Sequence, residues 1–327
     1  MKEILSVLPQ SIFLLIKPFE KEYKELEEIR LRINKPPELI FHSKSIFLNQ
    51  YRFNERDSKE LLGKITQHSV YRIEEELRNG YITIPGGHRV GISGKVSLAS
   101  GQVKAITHIS SFNIRVAREH KGVAKKILPY IYDHTMYNCL IIGPPKSGKT
   151  TLLRDIIRSI SDGLYGLKPK RVSLIDERSE IAASFQGIPQ HDVGMRTDVM
   201  ADCPKAEGMM MMIRSMSPEV LVVDEIGDER DVKSLMEAIH AGVQLICSIH
   251  GSHLDEIKKR PSLQKLFQEK AFQRYIVLKN GNKPGTIESI YSEDFTLITN
   301  RKRSYTDEMD RSNTNPLHVH VGRNRYS

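Results

Sequence analysis

Residues 140–151 read Leu140-Ile141-Ile142-Gly143-Pro144-Pro145-Lys146-Ser147-Gly148-Lys149-Thr150-Thr151, and this stretch decides the fold. It fits G-x-x-x-x-G-K-[ST], the pattern of a loop that cradles phosphate. The apolar run from Cys139 to Ile142 predicts a buried strand leading in. Leu152, Leu153, Ile156 and Ile157 predict a helical stripe leading out. Strand, loop and helix are what the motif requires. Gly143 and Gly148 let successive N–H groups converge on phosphate oxygens, and the helix N-terminus adds its positive dipole end. Lys149 supplies a cation for the β- and γ-phosphates, and the Thr150 hydroxyl is a ligand for Mg²⁺. The whole loop, Gly143, Pro144, Pro145, Lys146, Ser147, Gly148, Lys149, Thr150 and Thr151, is the expected nucleotide site. The plainer alternative is a glycine turn before an ordinary helix.

Downstream, apolar runs alternate with helical stretches. Strands are expected at Cys139–Ile142, Val172–Ile175, Val220–Val223, Leu245–Ile249 and Tyr275–Leu278. Helices are expected at Thr150–Ile160, Ala206–Met216, Val232–Ala241 and Leu254–Arg260. That alternation predicts an α/β domain whose parallel sheet is covered by helices.

Two of these strands end in acids. Val220-Leu221-Val222-Val223 runs into Asp224-Glu225, and Ser173-Leu174-Ile175 runs into Asp176-Glu177. Beside a phosphate loop, Asp224 is the second expected magnesium ligand. Glu225 is the expected base that deprotonates an attacking water, with Glu177 a rival or auxiliary base. Such a pair favours hydrolysis over phosphoryl transfer to a metabolite. Acids also cap strand ends for purely structural reasons, a reading that weighs more heavily on Glu177. A third strand ends in Ser248-Ile249-His250-Gly251. In sheets of this class it lies between the phosphate-loop strand and the acidic strand, so Ser248 or His250 would face the γ-phosphate. Arg196, Arg214, Arg115 and Arg118 are candidates for an arginine that stabilises transition-state charge, in cis or from a neighbouring subunit. A salt bridge or solvated face is the alternative for each. Met209–Met212 lie on an expected helix and read as adaptable core or subunit-contact packing.

The N-terminal part reads α+β. Residues 20–30 read as an exposed helix with Tyr23, Leu26 and Ile29 or Arg30 on its inner edge, and residues 57–77 as a second helix. Short strands are expected at Glu38–His42, Ser45–Leu48, on both sides of Pro85-Gly86-Gly87, and over 109–117. Residues 119–128 are charged and bridge the halves. The expected organisation is an α+β domain over 1–125, a nucleotide-binding domain over 126–295 and a flexible polar tail over 296–327.

The chain has 327 residues with 39% hydrophobic and 27% charged, enough apolar content to bury a sizeable core. That excludes a collagen-like or disulfide-scaffold chain. Apolar runs such as Ile12–Ile16 and Val220–Val223 fall far short of the roughly twenty residues a spanning helix needs. Neither a membrane span nor a cleaved secretory leader is expected. Three cysteines with no metal-ligand spacing point to a reducing cytosol. With 49 basic and 40 acidic residues the net charge is +9. This suits an anionic partner, or simply keeps the protein in solution. No basic stripe interleaved with aromatics favours nucleic acid. No Asn-Lys-x-Asp motif reads guanine, which points to ATP.

Taken in order, the phosphate loop, Ser217-Pro218-Glu219-Val220-Leu221-Val222-Val223-Asp224-Glu225-Ile226-Gly227 and Gly242–His250 are similar to the boxes of secretion and pilus motor ATPases. More closely, the chain over 1–295 resembles the stage III sporulation protein AA family of endospore-forming bacteria. Glu28-Ile29-Arg30-Leu31-Arg32, Gly86-Gly87-His88-Arg89-Val90-Gly91, Asn113–Glu119 and Asp192–Val199 carry that resemblance. It implies a hexameric ATPase with a RecA-like P-loop core and ATP and Mg²⁺ as cofactors. Such an ATPase would act at the membrane face of the mother-cell cytoplasm and power a channel toward the forespore with other stage III sporulation proteins. By position, Glu177 falls in the acidic box, Glu225 on the Walker B glutamate and His250 in the histidine box. Secretion motors carry glycine where this chain has Asp224, which favours Glu225 as the base. Two further readings stay open: a nucleic-acid-stimulated ATPase on the same core, and a nucleotide-gated assembly scaffold.

Overall fold

The computed structural model describes residues 1–67, 80–99, 102–281 and 283–298. The chain divides into two compact units. One comprises Met1–Lys121, Leu174–Val193 and Asp198–Gly208. The other comprises Gly122–Ser173, Gly194–Thr197 and the chain from Met209 onward.

The first unit opens with α1 (Lys2–Val7) and α2 (Gln10–Ile16). Six strands follow, β1 (Leu26–Arg32), β2 (Glu38–Phe41), β3 (Ser45–Phe47), β4 (Tyr81–Ile84), β5 (His88–Ala99) and β6 (Gln102–Arg115), with α3 (Glu55–Ile65) between β3 and β4. They form one sheet in the order β3-β2-β1-β6-β5-β4, with every neighbouring pair antiparallel. One face buries Ile29, Leu31, Leu39, Val90, Phe112 and Ile114 against Ile4, Leu8, Ile12, Leu61 and Ile65. Phe53 meets Phe112 edge-on at 6.1 Å. The helix α3 starts at a capping box in which Asn54 accepts the Asp57 N–H and Asp57 accepts the Asn54 N–H.

The reading of residues 20–30 as a helix is corrected. Lys17–Glu22 form a 3₁₀ turn, and the chain is a strand from Leu26. The register with β2 shifts between Leu26 and Glu28. That extra residue turns both Leu26 and Ile29 inward, a spacing of three that imitates a helical stripe. Of the second helical pattern, the part to Ile65 lies in α3, and the part over 68–77 lies outside the described residues. The tail beyond residue 298 lies outside them too.

The remaining strands are β7 (Tyr132–Asp133), β8 (Thr135–Met136), β9 (Cys139–Gly143), β10 (Val172–Asp176), β11 (Thr197–Ala201), β12 (Val220–Val223), β13 (Gln244–His250), β14 (Arg274–Leu278) and β15 (Ile287–Ser292). Seven of them form a sheet ordered β11-β10-β12-β13-β9-β14-β15. The run β12-β13-β9-β14 is parallel, and β15 closes the edge antiparallel to β14. Every residue of β9 and β12 is buried, as a sheet covered on both faces demands. Helices α4 (Leu128–Ile131), α5 (Lys149–Asp162), α6 (Lys205–Met216) and α7 (Glu229–His240) accompany the strands. In α5 the stripe Leu152, Leu153, Ile156, Ile157 and Ile160 is buried. Among the described residues no helix is long and apolar enough to cross a membrane. The expected α/β class with a parallel sheet is what the chain adopts, and β13 lies between β9 and β12 as anticipated.

His88 is 4% exposed, and its Nδ1 accepts the Ala117 N–H at 2.9 Å. Burial lowers its pKa to about 4. The unfolded chain takes that proton near pH 6.5, so between those values the unfolded state binds more protons. Stability is therefore lost as pH falls from about 6.5 to about 4. Denaturant titrations at pH 7 and pH 4.5 are expected to show a smaller acid loss for His88→Gln than for the wild type.

Candidate nucleotide-binding site

The loop begins where β9 ends. A Cβ at Gly143 would lie 2.5 Å from Ser147 Oγ, so any side chain there would displace the hydroxyl that bonds Pro144 O. Gly148 caps α5 in the left-handed region at φ +86°. A Cβ there would lie 2.5 Å from the Gly285 nitrogen and 2.6 Å from Pro284 Cα. The tip of the β14–β15 hairpin thus lies directly on the phosphate loop, with the Gly285 N–H donating to Ser147 O at 2.9 Å. Ser147 Oγ donates to Pro144 O at 2.8 Å. Lys149 is buried. Its ammonium donates to Gly143 O at 2.8 Å and to Pro144 O at 3.2 Å.

The carbonyl of Gly143 is a meeting point. It takes the Lys149 ammonium, the Gly251 N–H at 3.3 Å and, in the tautomer protonated there, His250 Nδ1 at 3.4 Å. The pairing of His250 with Gly143 across β13 and β9 sets this convergence. His250 itself is exposed, and its carbonyl accepts from Arg260 at 2.7 Å.

Asp224 and Glu225 follow β12 on the far side of β13. Ser248, fully buried, links them: its hydroxyl donates to Asp224 Oδ1 and accepts the Glu225 N–H at 3.0 Å. The Ile226 N–H adds a bond to Ser248 O at 3.0 Å. Glu225 stands at φ +49°, a left-handed conformation that costs a non-glycine residue energy and is held here by these bonds. Of Ser248 and His250, the two residues expected at the γ-phosphate, Ser248 has its hydroxyl engaged by Asp224 and Glu225.

Lys149, Thr150, Asp224, Glu225, Ser248 and His250 therefore gather at the carboxyl ends of neighbouring parallel strands, where open α/β sheets bind ligands. Thr150 and Asp224 offer a hydroxyl and a carboxylate. Among the described residues no group of three His, Cys, Asp or Glu side chains is placed to cage a metal. Two hard oxygen donors with the rest supplied by phosphate and water is the arrangement Mg²⁺ favours, so these residues fit that ion.

Glu177 and Arg196 are placed differently. Glu177 follows β10 in the first unit, where Lys205 pairs with it at 2.6 Å. Its neighbour Asp176 is buried and accepts the N–H groups of Glu180, Ile181 and Ala182 at 2.8–3.2 Å. Burial raises the Asp176 pKa, and these backbone donors and the Arg89 charge oppose that rise. Arg196 bonds through its backbone N–H to Ser161 Oγ at 2.7 Å, and through Nη1 to Ser161 O at 3.3 Å. Ser161 lies in the last turn of α5. That puts Arg196 roughly 20 Å along the helix from the phosphate loop of its own chain. Arg118 donates to Leu26 O at 2.9 Å and Arg115 stands 3.9 Å from Glu28, both within the first unit. Arg214 is exposed near the end of α6. Met209 and Met212 are buried on α6 while Met211 is exposed.

The sequence reading did not single out the Pro284–Gly285 tip or Arg89. A Pro-Gly pair signals a turn, yet nothing local says what that turn touches.

A sequence model of the family described as "Sporulation stage III, protein AA" matches residues 1–298. The chain belongs to this family. It is 48% identical over 300 residues to Stage III sporulation protein AA of Bacillus subtilis, covering 91% of this chain and 97% of that protein. Among solved structures, the chain is similar in fold to the ATPase DotB of Legionella pneumophila. That comparison has a TM-score of 0.55 and 15% identity, covering 83% of this chain and 76% of DotB. The pilus retraction motor PilT, solved with bound ADP, aligns at TM-score 0.56 and 16% identity over 91% of this chain and 86% of PilT. At those identities the likeness is one of fold: the chain shares the RecA-like α/β fold of these two proteins.

Ser248→Ala removes the buried hydroxyl that bonds both Asp224 Oδ1 and the Glu225 N–H. The expected cost is about 1–3 kcal/mol. Equilibrium unfolding by urea checks it.

Proposed function

We propose that this protein binds ATP with Mg²⁺ and hydrolyses it as the motor of a secretion-like machine in sporulation. The observation that carries the reading is the placement of the phosphate loop and the Asp224-Glu225 pair on strands that flank β13, tied to it through Gly143 O and Ser248. Residues Gly143–Thr151 wrap the phosphates. Lys149 exchanges its two carbonyl partners for phosphate oxygens when nucleotide enters. Thr150 and Asp224 hold Mg²⁺, which offsets phosphate charge when bound. Glu225 orients and deprotonates the attacking water, with Ser248 fixing its backbone. His250, resting on the same carbonyl as Lys149, responds when that carbonyl's partners rearrange. Glu177 acts as an auxiliary acid or base.

Arg196, tied to the end of α5 remote from the loop, acts in trans on a neighbouring subunit's nucleotide in a ring, a hexamer by resemblance to secretion motors. The partners are other stage III sporulation proteins at the membrane face, and the compartment is the cytoplasm. ATP is preferred to GTP in this reading because the chain lacks a guanine-reading motif.

Steady-state ATP turnover across a dilution series tests this, with Lys149→Ala as the blank. Turnover per subunit is expected to fall on dilution as the arginine in trans is lost. Glu225→Gln is expected to keep nucleotide binding and lose turnover by roughly 100-fold or more. Wild-type turnover equal to the blank would sink the motor reading and leave a nucleotide-gated scaffold.

A further inference from the structure

The segment between β10 and β11 leaves the nucleotide-binding core and folds with the first unit: Leu174–Val193 belongs there, and Glu177 lies near its start. Over residues 177–190 it forms no helix, and its only strand-like pairing is the bridge between Phe185 and Ile188. Ser179, Ala183 and Gln186 all stand at φ between +47° and +52°. Three non-glycine residues in the left-handed region make this a loop whose shape is imposed from outside.

Two anchors impose it. From below, the Asp176 carboxylate collects the N–H groups of Glu180, Ile181 and Ala182. From the β4–β5 hairpin, the Arg89 guanidinium reaches the carbonyl side of the same turn. Its Nη2 donates to Arg178 O at 2.7 Å and to Ser179 O at 3.0 Å, and its Nη1 to Glu180 Oε1 at 3.2 Å. The Tyr81 ring lies under the guanidinium at 4.7 Å, and the Tyr81 hydroxyl donates to Arg178 O at 3.5 Å. The turn of the same hairpin adds the Gly86 N–H to Gln190 Oε1 at 2.8 Å. Arg89 is only 22% exposed at its side chain. A planar fork with several fixed donors can hold two successive carbonyls and a carboxylate at once, which a lysine cannot.

We infer that Arg89 is a positioning residue: it fixes the backbone of residues 178–180 and thereby the placement of the Glu177 carboxylate, which Lys205 pairs with from the first turn of α6. This rests on the reading that Glu177 serves in ATP hydrolysis. Arg89 touches neither nucleotide nor reacting water in this account. Its effect on the reaction passes through Glu177.

The test joins amide hydrogen exchange to kinetics on the full chain. Arg89→Ala is expected to raise exchange at residues 178–182 while exchange in α5 stays unchanged. It is expected to lower kcat about tenfold to a hundredfold, the scale of a catalytic group displaced by about 1 Å, with nucleotide affinity unaltered. Arg89→Lys is expected to fall between the two. In a Glu177→Gln background, Arg89→Ala is expected to add almost nothing, since residues that act as a unit are not additive. Unchanged exchange at 178–182 would overturn the inference, as would a kcat loss that multiplies with that of Glu177→Gln. Glu177→Gln turning over at the wild-type rate would overturn the link to Glu177 while Glu225→Gln still reports hydrolysis. Loss of turnover in wild type itself would instead remove the motor reading, and the exchange measurement would then judge Arg89's hold on the loop. If Arg89→Ala does not fold, Tyr81→Phe, which removes only the weaker bond to Arg178 O, gives the same exchange readout on a smaller scale.

Discussion

A loop that wraps an anion with its N–H groups has to be shaped through its carbonyls. In this chain the carbonyl side is fully engaged at three points. Gly143 O takes the Lys149 ammonium and the Gly251 N–H, Pro144 O takes the Ser147 hydroxyl, and Ser147 O takes the Gly285 N–H. The Lys149, Gly251 and Gly285 bonds tie the loop to its own helix, the end of β13 and the hairpin tip, and the Ser147 hydroxyl closes the loop on itself. The sheet order matters because of this constraint. Only with β13 between β9 and β12 can one strand deliver Gly251 and His250 to the loop and Ser248 to the acidic pair.

The second acidic strand obeys a different constraint. Asp176 is buried, and a buried carboxylate needs donors. It finds three backbone N–H groups in the loop that follows, and the positive charge of Arg89 lies near enough to favour its ionised form. The same bonds fold that loop, with Glu177 at its head, into the unit built on the N-terminal sheet. Two strand ends that look alike in sequence, Val-Asp-Glu and Ile-Asp-Glu, thus have different lives: one acid pair tied by a serine hydroxyl to the next strand, the other split between a buried anchor and an ion-paired glutamate.

Periodicity made most of the α/β core legible. Cys139–Ile142 and Val220–Val223 are continuous apolar runs because both faces of their sheet are covered, and α5 shows its stripe because only one side is. Where periodicity failed, the reason is local. Leu26 and Ile29 are three apart and both face inward, which a helix would explain and which a register shift in β1 produces instead. The long antiparallel ladder of β5 and β6 was legible only as short pieces, since its register shifts at Gly94, Val96 and Leu98 interrupt strict alternation.

By itself the sequence determined the phosphate-loop motif, the alternation that makes a parallel sheet, and the membership of the chain in its family. Those depend on residues close in sequence: glycines at fixed spacing, runs of one hydropathy, a lysine beside a threonine. Tertiary structure decided which groups meet. Ser248 bonds a residue 24 positions away, Gly285 lies on a loop more than 130 residues earlier, and Arg89 holds carbonyls about 90 residues later. No local propensity encodes such pairs. They follow from strand order and from the need of each buried polar group for a partner, and both are settled only when the whole sheet has closed.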